Sequence, residues 1–221
     1  MKYAQQDGMR NNTILIQQSN NIAMKSICVY CGSSPGILPG YAEAARALAR
    51  EMLKNDIALV YGGGKVGLMG VIADEVMRLG GAVTGIIPKA LMEWEVGHHG
   101  LTQLHVVEDM HERKAMMARL SDGFIALPGG IGTLEELFET LTWAQLGFHD
   151  KPIGLLNVAG FYDGLLVFLE QVVKQGFLKP AQARLLMHET QADSLLARFR
   201  QFQPGQHRHR LDTASAQTLL P

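Results

Sequence analysis

Residues 128–136 read Pro-Gly-Gly-Ile-Gly-Thr-Leu-Glu-Glu. They lie between an apolar run at 123–127 and a stretch in which Leu134, Leu137, Phe138 and Leu141 recur at helical spacing. Backbone N–H groups at a helix start, with no Cβ in the way, can hold a phosphate. Thr133 and Glu136 also have capping-box spacing, with Thr133 as N-cap and Glu136 at N3. Such a cap explains Glu136 but needs none of the three glycines before it. A closely approaching phosphate or ribose needs most of them.

A second cluster, Asp109-Met110-His111-Glu112-Arg113-Lys114, carries cations. Asp109 and Glu112 have capping spacing, which puts Arg113 and Lys114 in the first turns of a helix. Each cation there opposes the macrodipole by about 0.3–1 kcal/mol, so the pair calls for a compensating anion. Either a nearby carboxylate or a bound phosphate would serve, and the arginine fork suits the latter.

A second glycine loop, residues 62–67, matches G-x-G-x-x-G between a strand and a helix. A dinucleotide site would want an acidic residue about 20 positions on, and residues 84–90 (TGIIPKA) contain none. A Walker A loop needs Ser or Thr after its Gly-Lys pair, and here Val66 follows Lys65. The loop can bind an anion or simply make a tight turn. Cys28 and Cys31 form C-x-x-C, but they sit in one apolar strand and so face opposite sides. No second pair completes a zinc site, and the eight histidines, including the adjacent His98 and His99, show no ligand spacing. No metal is expected.

The elements that position these residues alternate. Apolar runs fall at 26–31, 57–61, 82–87, 103–107, 123–127 and 152–156, without polar alternation. Between them, Tyr41, Ala45, Leu48, Ala49 and Met52 mark one helix, and residues 66–79, 109–120, 162–175 and 192–201 mark others. Strands buried on both faces with interposed helices predict a single doubly wound, Rossmann-like α/β domain with a parallel sheet. It covers residues 25–202, with flexible extensions at 1–24 and 203–221. The second extension contains the basic run HRHR at 207–210. In such folds ligands bind outside the carboxyl ends of strands, where these two glycine loops and a third, CGSSPG at 31–36, all fall. The 221 residues have a net charge of −1, which offers no footprint for nucleic acid. No apolar run reaches the ~18–20 residues of a membrane span, and no export signal is visible, so a cytoplasmic protein is expected. Nine of the 24 glycines lie in the three strand-end loops.

The PGGIGTLEE segment, preceded by MHERK at 110–114, resembles the LONELY GUY family of cytokinin riboside 5′-monophosphate phosphoribohydrolases. Every fixed position of P-G-G-x-G-T-x-x-E is matched. The likeness extends through CGSSPG (31–36), YGGGKVGLMG (61–70), TWAQLG (142–147) and KPIGLLN (151–157), over about residues 25–190. It implies hydrolysis of the N-glycosidic bond of a purine nucleoside 5′-monophosphate, giving the free base and ribose 5-phosphate. No cofactor or metal would be needed. Family members have often been labelled lysine decarboxylases, but no lysine here has a pyridoxal-phosphate context.

By motif position, the resemblance implies catalytic roles for Arg113 and Glu136. Glu136 would activate water or stabilise the ribosyl cation, and Arg113 would orient ribose or phosphate. The implied substrate contacts are Lys114, Gly130, Ile131, Gly132, Thr133, Leu134, Glu135 and Thr142, which shares a face with Glu135 and Glu139. Glu95 takes the upstream acidic position, although WEVGH (94–98) departs from the family pattern. Gly63 and Ser33, in the other glycine loops, complete the expected set. The resemblance also implies a homodimer with its site near the interface. Two rival readings share the fold. One is a non-catalytic nucleotide or molybdenum-cofactor carrier, and the other is an AMP nucleosidase for which cytokinin is irrelevant.

Overall fold

The computed structural model describes residues 24–92 and 97–205. The six apolar runs form β1 (Ser26–Tyr30), β2 (Ala58–Tyr61), β3 (Val83–Pro88), β4 (Gln103–Val107), β5 (Gly123–Ala126) and β6 (Ile153–Leu156). The main helices are α1 (Pro39–Lys54), α2 (Gly67–Arg78), α4 (Met110–Arg119), α5 (Ile131–Gln145), α6 (Asp163–Lys174) and α8 (Ala192–Gln201). Two single-turn helices, α3 (Lys89–Met92) and α7 (Pro180–Ala183), and a seventh strand, β7 (Leu186–Glu189), were not expected. In β7 only Leu186 and Met187 are buried, before His188 and Glu189. Two apolar residues are too few to register as a strand in sequence, and a sheet-edge position tolerates them.

All strands are parallel and run in the order β4-β3-β2-β1-β5-β6-β7. This is the expected doubly wound sheet. Two cores cover its faces. On one side Ile27 and Val29 of β1 and Leu59 and Tyr61 of β2 meet Leu48 and Met52 of α1, Ile72 of α2 and Phe199 of α8. On the other, Cys28, Tyr30 and Phe124 meet Met117 of α4 and Leu137 and Leu141 of α5, with α6 packed alongside. Cys28 of β1 and Cys31, one residue past its end, fall in opposite layers, as their spacing predicts. Both thiols are free and buried.

β1 lies at the centre, with β2 on one flank and β5 on the other, and the chain winds outward in both directions. The crevice beyond the carboxyl ends of β1 and β5 is therefore the topological switch point, where this architecture binds ligands. The three glycine loops meet there. The Gly32 N–H donates to the Pro128 carbonyl (3.1 Å), and the Leu68 N–H donates to the Gly32 carbonyl (3.0 Å).

Candidate active site

α5 begins at Ile131, with Gly130 as its N-cap and no side chain capping it. This corrects the capping-box reading of Thr133 and Glu136. Thr133 lies inside the first turn and is buried, its side chain against Gly129, where an added Cβ would stand 2.1 Å from Oγ1. As the third residue of the helix, packed against Gly129, Thr133 does not stand at the N-cap position. Gly130 and Gly132 behave differently. A Cβ on either would meet nothing within 4 Å, and neither has a positive φ. The fold does not require glycine at these two positions. They leave the first-turn N–H groups of α5 open to an anion.

Arg113 and Glu136 come together behind this helix start. Asp109 caps α4 as expected, its Oδ1 accepting from the Glu112 N–H at 2.8 Å. Arg113 is then the fourth residue of α4 and turns inward, 7% exposed. Its Nε donates to the Ile86 carbonyl (3.2 Å) and its Nη2 to the Gly62 carbonyl (3.3 Å). Its Nη1 lies 3.4 Å from Glu136 Oε1 and 3.7 Å from the Met110 sulfur. Glu136 is 8% exposed. A Cβ on Gly62 would stand 1.9 Å from Nη2, so that glycine exists to admit the guanidinium.

Lys114, next to Arg113, lies between Glu135 (2.5 Å) and Glu139 (3.0 Å) of α5. Burial pulls its pKa down, but the hydrogen bonds to both carboxylates outweigh that and hold the ammonium above its ordinary range. Of the two compensating anions that the sequence allows for these cations, the structure supplies carboxylates, all three from α5.

The 62–67 loop is largely filled by protein. Gly63 is buried at φ +77°, against Ile87, and Gly67 (φ +61°) would place a Cβ 2.3 Å from the Ser33 carbonyl carbon. These glycines make the turn and the loop-to-loop contact. Ser33 is exposed and lines a cavity of about 260 Å³ with Gly36, Tyr41, Leu68, Gly129, Gly130 and Phe161. A larger cavity, about 740 Å³, lies between α6, α7, β7 and α8, away from these loops. Ile131 is exposed, Leu134 is half-buried, and the exposed Thr142 donates its hydroxyl to the Phe138 carbonyl (2.7 Å). Glu95 lies outside the described residues, as does the HRHR run. Sequence reasoning missed the two carbonyls that seat Arg113, since a main-chain acceptor leaves no mark on residue type.

Among the described residues no group of histidines, cysteines or acids could hold a metal, and no helix is long and apolar enough to cross a membrane. Burial, and then the charge of Glu136, push the Cys28 and Cys31 thiols far up, away from nucleophilic thiolate. The site's chemistry is therefore an open helix N-terminus, a fixed guanidinium and a placed carboxylate. From Ile131 to Glu136 the helix advances about 7.5 Å at ~1.5 Å per residue, the scale of a phosphorylated ribose.

Fold and site define a doubly wound α/β protein whose switch-point crevice joins an uncapped helix start to an Arg–Glu pair. A family model described as "Possible lysine decarboxylase" matches residues 69–199. The chain is 50% identical over 180 residues to the Arabidopsis thaliana cytokinin riboside 5′-monophosphate phosphoribohydrolase LOG7, covering 81% of this chain and 83% of that protein. It is 48% identical over 196 residues to the probable enzyme LOGL3 of Oryza sativa subsp. japonica, covering 89% and 92%. Among solved structures, the molybdenum cofactor carrier protein of Chlamydomonas reinhardtii superposes with a TM-score of 0.59 at 18% identity, covering 78% of this chain and 94% of that one. A molybdenum cofactor binding protein from Rippkaea orientalis gives 0.59 at 20% identity, covering 78% and 93%. At such identities these two share the fold alone. The chain belongs to the family of cytokinin riboside 5′-monophosphate phosphoribohydrolases, as its motifs implied.

Proposed function

We propose that this protein hydrolyses the N-glycosidic bond of purine nucleoside 5′-monophosphates, cytokinin riboside monophosphates among them. One observation carries the reading: α5 presents an open N-terminus and, five residues on, a carboxylate fixed by Arg113. The 5′-phosphate sits on the first-turn N–H groups around Gly130–Thr133. This puts the ribose beside Glu136 and Arg113. As the C1′–N9 bond lengthens, positive charge grows on the ribose and the carboxylate stabilises it. Water adds its oxygen to C1′. The bond's electron pair leaves on N9, which takes a proton. The products are free base and ribose 5-phosphate.

A carrier would need the glycine loop and a cation but no carboxylate set beside them, so the Arg113–Glu136 pair favours the hydrolase. Membership of a family with named phosphoribohydrolases supports the substrate class. A homodimer is supported by large apolar side chains left in solvent near the end of α5 and after α6, Phe148 at 75% and Phe177 at 87% exposure.

The test is to incubate the protein with AMP and with isopentenyladenosine monophosphate and measure free base. Release from either supports hydrolysis, and the ratio separates a cytokinin enzyme from an AMP nucleosidase. No base from either supports a carrier.

A further inference from the structure

His98 belongs to no motif in the sequence, yet it is buried and fully engaged. Its Nε2 lies 2.8 Å from Oδ1 of Asp74 on α2, and its Nδ1 accepts the Gly100 N–H at 3.3 Å. With Nδ1 accepting, Nε2 carries the proton and donates to Asp74. The backbone N–H of His98 donates to the Gly63 carbonyl (3.1 Å), and Gly64 and Gly97 form an antiparallel bridge beside it.

This clasp lands on the loop that seats Arg113. Gly62 offers its carbonyl to Nη2, and the next residue, Gly63, is gripped from both sides. On one side stands His98. On the other is β3, where a Cβ on Gly63 would lie 3.1 Å from the Ile87 Cβ, and the Ile86 carbonyl accepts Arg113 Nε. A continuous chain of contacts thus runs from Asp74 through His98 and Gly63 to Gly62, Arg113 and Glu136. We propose that His98, held by Asp74, is a positioning residue: it fixes the Gly62–Gly64 loop so that the guanidinium keeps its place against Glu136. The proposal rests on the reading that Arg113 acts in base release.

A buried imidazole with two polar partners also serves a purely structural role, and the two roles differ in kinetics. Steady-state base release from AMP is measured for His98→Ala, His98→Gln, Asp74→Asn, Asp74→Ala, Arg113→Ala and Arg113→Lys, and for His98→Ala combined with Arg113→Lys. Displacing the guanidinium lowers kcat of His98→Ala about tenfold. KM stays within about twofold, because the helix start that holds the phosphate is untouched. Asp74→Asn keeps an acceptor for Nε2 and stays near wild type, while Asp74→Ala follows His98→Ala. In the Arg113→Lys background, loss of His98 costs less than about twofold, since the two act through one group. Unchanged kcat in His98→Ala, even with a lowered Tm, overturns the proposal. So does a full tenfold loss on top of Arg113→Lys. Should His98→Ala fail to fold, Asp74→Ala carries the same tenfold expectation, while His98→Gln, whose amide keeps a donor for Asp74 and an acceptor for the Gly100 N–H, stays near wild type. Full activity in Arg113→Ala refutes the parent reading. A dead Arg113→Ala beside a silent His98 refutes this proposal alone.

Discussion

The Arg113 guanidinium lies 3.4 Å from the Glu136 carboxylate, each side chain nearly buried and each on a different helix. Two main-chain carbonyls, of Gly62 and Ile86, hold the arginine independently of the glutamate. Glu136→Gln therefore leaves Arg113 seated, and the protein stays folded by circular dichroism. Base release falls by at least about 100-fold, the scale of losing one transition-state contact. Arg113→Ala produces a comparable loss. Full activity in either variant contradicts the assignment.

Glycines in two loops make opposite predictions. A Cβ on Gly62 collides with the guanidinium, so Gly62→Ala displaces Arg113 and lowers kcat. A Cβ on Gly132 has no neighbour within 4 Å outside its own helix backbone, so Gly132→Ala leaves stability unchanged or raises it by up to about 1 kcal/mol. It raises KM for AMP, because the methyl group occupies the phosphate's approach. Thermal melts and kinetics on the two variants check both directions.

Lys114 ties α4 to α5 through Glu135 and Glu139. Lys114→Met leaves two glutamates on one helix face without their cation, and lowers Tm at neutral pH. Because the folded protein holds this ammonium above its ordinary value of 10.5, its contribution is complete below that value and fades as pH rises through the folded pKa. The wild-type advantage over Lys114→Met in melting temperature therefore shrinks in strongly alkaline buffer.

His149 gives an acid-side signature. Burial, the largest influence, holds its pKa below the ordinary 6.5, against the pull of its bond to the Thr140 carbonyl (3.1 Å). The neutral ring is what the folded state keeps, so its stabilising contribution is complete above pH 6.5 and is lost as pH falls through the lower folded value. Melting curves between pH 7.5 and about pH 5 show a declining Tm, and His149→Gln reduces that slope.

Much of this was legible in the chain. Six strands and their order of helices follow from apolar runs that lack polar alternation, and Asp109 announces the start of α4 by residue type and spacing. The start of α5 was not legible in the same way. Thr133 and Glu136 satisfy a capping pattern, but the helix begins earlier, at Ile131 after Gly130, and Thr133 packs on Gly129 from inside the first turn. Arg113 and Glu136 were identifiable singly. Their contact depends on the packing of α4 against α5, and the seat of the arginine on main-chain carbonyls. β7 escaped notice because a four-residue edge strand with two buried side chains has no pattern to read.

Hydrolysis at Glu136 is tested by following adenine and ribose 5-phosphate together, by chromatography, from AMP incubated with the wild type and with Glu136→Gln. Equimolar release of both products is expected from the wild type and almost none from the variant, which still binds AMP. Release that is equal in the two proteins, or absent from the wild type with AMP and isopentenyladenosine monophosphate alike, would contradict hydrolysis at Glu136.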